Sequence, residues 1–313
     1  MTESAYVPRR PARSRFIEVR GLRYHVLEWG DASLATPERP PLVLVHGWMD
    51  VGASFQFMVD SLHALEGDAR HIVALDWRGF GLTDVPAADA YWFPDYMADL
   101  EVALDTLFPL ERFPQVDLAG HSMGGNVVMV YAGVRPGRIR RLVNLEGFGQ
   151  PTTNAEMAPQ RYADWLDEMK DKPRLNTYAS LAAVAARLQK NNPLLRPERA
   201  AWVAPHWARE EADGTWHLRA DVSHRRTNPV LYQKDEYIAC WKRITAPVLW
   251  VEGDQTDIGK WWGTRYPRSE FEARLALVPN LQKHTLSPAG HMLHHDQPEA
   301  LALRLRAFLD APG

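Results

Sequence analysis

The chain has 313 residues, 46% of them hydrophobic and 24% charged, enough for one large domain with a sizeable core, or one domain carrying an inserted subdomain. Its formal net charge of -3 supplies no general attraction to nucleic acid or to anionic membranes, so neither is expected as a partner. A lone cysteine, Cys240, excludes an intramolecular disulfide and suits a reducing compartment; the N-terminus lacks the apolar core of a signal peptide and no window reaches the roughly 18 apolar residues of a membrane span, which makes a cytoplasmic location the expectation.

The arginines in Arg9-Arg10-Pro11-Ala12-Arg13-Ser14-Arg15 read as a frayed, solvated arm. Two strands follow, Phe16–Arg20 and Leu22–Trp29, with a turn at Gly21. After a Pro-rich loop, Leu42–Val45 is apolar on both faces, as a strand buried inside a parallel sheet must be. A helix over about 53–65 and a strand over His71–Leu75 come next. Asp95–Phe108 places Tyr96, Leu100, Ala103, Leu104 and Leu107 on one helical face. Phe113–Ala119 reads as a short buried strand, Asn126–Ala132 as a helix, and Arg141–Glu146 as a further strand. Apolar strands separated by helices imply an α/β chain with a doubly wound, mostly parallel sheet.

Between Phe148 and Arg243 that rhythm stops. Helical patterns over Ala158–Met169, Tyr178–Gln189 and Arg196–Ala208, with no strong strand, suggest a helical cap over 148–243 inserted into a core of 1–147 and 244–313. The chain carries 12 tryptophans, and Trp165, Trp202, Trp207, Trp216 and Trp241 crowd this segment. Large aromatics often line apolar clefts, so an aromatic-walled pocket in the cap is a natural expectation. The strand rhythm resumes at Ala246–Glu252, followed by a helix near Ser269–Leu277, a strand over Leu281–Leu286 and a last helix over Pro298–Leu309.

The densest chemistry lies at Gly120-His121-Ser122-Met123-Gly124-Gly125. A serine on a sharp strand-to-helix turn, flanked by glycines that admit close backbone, lifts its hydroxyl above the sheet and aims the first helix amides at whatever it attacks. Such a hydroxyl needs a base, usually His, oriented by a carboxylate. Pro288-Ala289-Gly290-His291-Met292 follows the last strand and brings His291 back over the carboxyl ends of the strands. His294 and His295 invite a metal reading with His291, but no metal is expected; they read as polar residues ahead of the last helix, with Asp296 as a candidate cap. Two positions can deliver a carboxylate to His291: Glu146, ending its strand, and Asp254 or Asp257 after Gly253.

His46-Gly47-Trp48, Asp76-Trp77-Arg78-Gly79-Phe80-Gly81, Gly120–Gly125 and Gly290-His291-Met292, in that order, resemble the motifs of α/β-hydrolase-fold enzymes over about residues 16–147 and 244–310. Most of that family carries its acid three residues after the glycine of the later strand, where this chain has Thr256. A minority places a Glu about two dozen residues beyond the nucleophile, the spacing of Glu146 from Ser122. The resemblance therefore favours Ser122, His291 and Glu146 as the catalytic residues, with Asp257 and Asp254 as alternative acids. It gives the oxyanion hole to the backbone amides of Trp48 and Met123, makes His46 and His121 structural, and has Asp76 and Arg78 fix a loop under the site. It implies no cofactor. A serine nucleophile disfavours dehalogenase and epoxide-hydrolase chemistry, which needs a carboxylate there.

The function expected is hydrolysis of a carboxylic ester or lactone of an apolar or aromatic small molecule through an acyl-enzyme. A carbon–carbon bond hydrolase is the alternative, weakened by Met292, where those enzymes usually have Trp. A non-catalytic receptor on the same fold is the alternative of another class.

Overall fold

The computed structural model describes residues 5–171 and 173–312. Strands β1 (Arg13–Val19) and β2 (Leu22–Trp29) form an antiparallel hairpin, and β2 pairs antiparallel with β4 (Ile72–Leu75). From there β3 (Leu42–Val45), β5 (Val116–His121) and β6 (Ile139–Leu145) run parallel to β4. Between Glu146 and Ile244 lie three short strands, β7 (Thr177–Tyr178), β8 (Ala208–Glu210) and β9 (Trp216–Leu218), which form a separate small sheet. Strands β10 (Val248–Gly253) and β11 (Leu281–Leu286) complete the main sheet in the order β1-β2-β4-β3-β5-β6-β10-β11.

Every residue of β3 and β4 is fully buried, and alternation sends successive side chains to opposite faces. Val43 and Val45 join the core under helices α2 (Phe93–Leu107) and α3 (Met123–Val134). Leu42 and Leu44 join the one under α1 (Gln56–Glu66) on the other side. Both faces are thus covered, which is why these strands read as unbroken apolar runs. Helix α3 starts at Met123, three residues earlier than its apolar pattern suggests.

The inserted segment contains α4 (Ala158–Lys170), α5 (Leu181–Asn191), α6 (Pro197–Trp207) and α7 (Lys234–Trp241). The sequence reading missed its strands, which at two or three residues are too short to show a period. Strand β7 takes Thr177 and Tyr178, so α5 begins later than its apolar spacing suggests, capped by the Ser180 side chain accepting from the Ala183 amide at 3.2 Å. After β10 come α8 (Gly259–Trp262), α9 (Arg268–Leu275), α10 (Leu293–Asp296) and α11 (Pro298–Leu309); α11 joins α1 on its face of the sheet.

The N-terminal arginines are not a solvated arm. Arg10 is buried, and the amides of Arg9 and Arg10 donate to the Asp60 carboxylate at 2.9 Å. Arg13 lies within β1, where it and Arg15 pair with the buried Glu28 across the hairpin. Among the described residues no helix is long and apolar enough to cross a membrane.

Candidate active site

The turn from β5 into α3 holds Ser122 at φ 51°, ψ -114°, a conformation L-residues rarely adopt. Its amide donates to the Leu145 carbonyl at 2.8 Å. Only glycine fits on either side. A Cβ on Gly124 would stand 2.5 Å from the Val45 carbonyl, and one on Gly120 would strike the Gly124 backbone. The close passage of α3 over the end of β3 leaves Ser122 partly exposed, on the wall of a cavity of about 1010 Å³ that His291 and Glu146 also line.

His291 stands on the loop between β11 and α10, fixed from several sides. The Ala289 amide donates to Asp254 Oδ1 at 2.9 Å, the Gly290 amide to Asp296 Oδ2 at 2.8 Å, and His121 Nε2 donates to the His291 carbonyl at 2.8 Å. The imidazole Nδ1 lies 2.6 Å from Glu146 Oε2. Glu146 is 1% exposed. Its backbone takes φ 57°, and its other oxygen accepts from the Gly253 amide at 2.7 Å. Neither alternative carboxylate takes that place. Asp254 Oδ2 accepts from the Ser287 hydroxyl at 2.6 Å, and Asp257 Oδ1 from the Gly259 amide at 2.9 Å, both on exposed residues. Thr256 stands between them.

The loop after β3 reaches the same cavity. His46 is buried, and burial pushes its imidazole below the ordinary range. It is held as a neutral ring, accepting at Nε2 from the Trp77 amide at 2.9 Å and donating from Nδ1 to the Gly47 carbonyl at 2.7 Å. Asp76 takes the Gly52 amide at 2.7 Å and the Leu82 amide at 3.0 Å, tying this loop to the next. Arg78 forms a two-toothed pair with buried Asp99 at 2.6 and 2.7 Å. Met123 is the first residue of α3, where amides lack intrahelical partners; Trp48 lines the cavity and donates its indole N–H to the His224 carbonyl at 3.2 Å.

His224 had no sequence signal. It is sandwiched between Phe80 and Tyr91, with ring centroids 3.7 and 3.6 Å away, and burial pushes its imidazole down to about 3. The lining also corrects the expectation about tryptophan. Trp48, Trp261 and Trp262 line the cavity, with Tyr91, Tyr96 and Phe148. Trp202, Trp207 and Trp216 instead pack on the small core formed by α5 and α6, and Trp241 is buried in the main core. Crowding in sequence carried no information about direction.

Two further expectations near His291 fail. Asp296 does not cap the last helix: it accepts from Gly290 and from Asn192 Nδ2 at 2.7 Å, and Gln297 occupies the cap position. His294 and His295, read as polar residues at the start of the last helix, lie instead in the separate α10 and are buried. His294, His121 and Asp50 bring ligand atoms within 4.8 Å of one another, a donor set that could hold a metal ion. His291 is outside that group, its Nδ1 engaged by Glu146. Burial raises the Asp50 carboxyl, but the charge of the neighbouring His294, His295 and His46 outweighs it and holds the carboxyl below the usual carboxylate range.

A parallel-centred sheet, covered by helices on both faces and carrying a strained serine at a strand-to-helix turn, defines an α/β hydrolase. Residues 40–298 match the alpha/beta hydrolase fold family, and the chain belongs to it. It is similar to the esterase YbfF of Escherichia coli (strain K12), 24% identical over 286 residues covering 86% of this chain and 93% of the esterase. It is also similar to the 3-hydroxybutyrate-oligomer hydrolase of Cupriavidus necator, 31% identical over 249 residues covering 76% and 78%. Among solved structures, the thioesterase domain from the curacin biosynthetic pathway shares the fold, with a TM-score of 0.79 at 23% identity over 95% of this chain and 99% of that one. The chain is a hydrolase.

Proposed function

We propose that this hydrolase cleaves a carboxylic ester or lactone of an apolar or aromatic small molecule through an acyl-enzyme on Ser122. The observation that carries the reading is the 2.6 Å contact of His291 Nδ1 with buried Glu146, at the wall of the cavity that Ser122 lines. An ionised carboxylate only accepts, so Nδ1 carries the proton and Nε2 keeps its lone pair. His291 Nε2 takes the proton of the Ser122 hydroxyl as Oγ attacks the substrate carbonyl carbon, and the oxyanion settles against the Met123 and Trp48 amides. Collapse breaks the carbon–oxygen bond, with His291 returning the proton to the leaving alkoxide. Water, deprotonated by the same base, then releases the acid.

Aromatic lining from Trp48, Trp261 and Phe148 supports an apolar or aromatic group beside the reacting carbonyl. The names of two similar proteins, an esterase and an oligomer hydrolase, agree with ester cleavage. In this reading residues 148–243 act as a cap over a core of 1–147 and 244–313, and the scheme needs no cofactor. The lone cysteine suits a reducing, cytoplasmic setting.

Replacing the nucleophile tests it. Ser122→Ala should lower turnover of a short p-nitrophenyl ester by roughly 10⁴-fold or more, with an unchanged circular-dichroism spectrum. Full activity in that variant would sink the assignment.

A further inference from the structure

The cavity around Ser122 has an uneven charge. Its lining includes two guanidinium groups, Arg161 on α4 and Arg265 in the turn following α8. Its one lining carboxylate is Glu146, whose two oxygens are already taken by His291 and the Gly253 amide. His224, also in the lining, is kept neutral by burial. Among the described residues neither arginine has a carboxylate within 4.0 Å. Arg161 spends one nitrogen on the Asn228 carbonyl at 2.7 Å, which steadies the group while leaving the rest of its fork unspent.

The neighbouring Arg274 shows the contrast. Its guanidinium, beneath the Gln150–Thr152 stretch of the same wall, is matched by Glu270 and by the Gln150 carbonyl. Arg274 thus comes with its anion supplied. Arg161, part-buried, and Arg265, exposed, instead bring positive charge to an aromatic-walled cavity with no carboxylate beside either of them among the described residues.

We propose that Arg161 and Arg265 form an anion subsite of this cavity, taking a free carboxylate on the ester or lactone that Ser122 cleaves. The proposal rests on the hydrolase reading above and narrows its substrate class to anionic, amphipathic esters. An aromatic or alkyl body lies along Trp48, Trp261 and Phe148, and the charged end meets a guanidinium. Arginine suits this role because its planar fork pairs two N–H groups with the two oxygens of one carboxylate.

Matched ester pairs differing only in that charge test it. On the acyl side the pair is mono-p-nitrophenyl adipate and its methyl ester. On the leaving-group side it is 4-acetoxybenzoate and its methyl ester. The subsite predicts that, in at least one pair, kcat/KM for the carboxylate exceeds that for the methyl ester by about tenfold, mostly through KM. Raising the salt to about 0.5 M should compress the ratio. In Arg161→Gln and Arg265→Gln the ratio should fall, and in the double variant it should approach one. Arg161→Lys, keeping the charge without the fork, should keep part of it. A wild-type ratio at or below one in both pairs, or a ratio that survives the double variant, overturns the subsite. Turnover of the methyl esters, abolished by Ser122→Ala, reports the hydrolase reading separately. No turnover of any of the four would strike that reading, and the subsite with it.

Discussion

The carboxyl ends of β6 and β10 lie side by side in the sheet, and each is followed by a carboxylate that meets the loop bearing His291, yet the two serve it differently. From the end of β6, Glu146 reaches the imidazole itself at 2.6 Å. From the end of β10, Asp254 reaches the loop backbone, taking the Ala289 amide and the Ser287 hydroxyl, while Asp257 closes its own turn on Gly259. One strand end orients the ring and the other holds the chain that carries it. The difference arises from the backbone. Glu146 has a left-handed φ of 57° and sits buried over β10 with the Gly253 amide as a second partner, whereas Asp254 and Asp257 are exposed. A carboxylate near a histidine in the fold is therefore not enough; burial and a second donor fix which one the ring meets.

Substitutions can break this comparison, and the largest effect should come from β6. Glu146→Gln should reduce kcat by about 10²- to 10⁴-fold on a p-nitrophenyl ester, because the amide can no longer hold the ring in the tautomer that leaves Nε2 free. An effect below tenfold would remove Glu146 from the orienting role. Asp254→Asn should do less, lowering turnover by under about tenfold as the His291 loop loosens, at a similar melting cooperativity. Its pH dependence gives a sharper reading. The Ser287 hydroxyl and the Ala289 amide hold the Asp254 carboxyl below the usual range. A group depressed on folding contributes stability that is complete above its unfolded value, about 3.9, and that is lost as the pH falls towards the folded one. The stability gap between wild type and Asp254→Asn, read by urea unfolding, should be widest at neutral pH and shrink as the pH drops below about 4. A gap that grows in acid would contradict the assigned contacts. Asp257→Asn should change turnover by less than about twofold, since its carboxylate bonds only its own exposed turn.

Much of the fold was legible in the sequence because burial on both faces leaves an unmistakable pattern. Leu42–Val45 and Ile72–Leu75 have no polar residue to hide, and the glycines around Ser122 mark a turn that other residues cannot make. Elsewhere the deciding partners were distant in sequence. The N-terminal arginines looked solvated because Glu28 and Asp60, which receive their side chains and amides, lie in other elements. His294 and His295 looked like polar residues ahead of a helix, but α10 turns them into the interior beside Asp50. The tryptophans of the inserted segment raised its aromatic content without facing the cavity; Trp261 and Trp262, which do face it, lie on a short helix after β10. For the acid, sequence spacing could only rank Glu146 against Asp254 and Asp257, since its left-handed backbone and the Gly253 contact belong to the three-dimensional arrangement.

The most direct measurement is the rate at which a fluorophosphonate probe labels the protein, with the modified residue located by peptide mass spectrometry, in wild type, Glu146→Gln and Asp257→Asn. The account predicts a single adduct on Ser122, formed at a wild-type rate in Asp257→Asn and at least about a hundredfold more slowly in Glu146→Gln. Labelling elsewhere, or slowed by loss of Asp257 and not of Glu146, would contradict it.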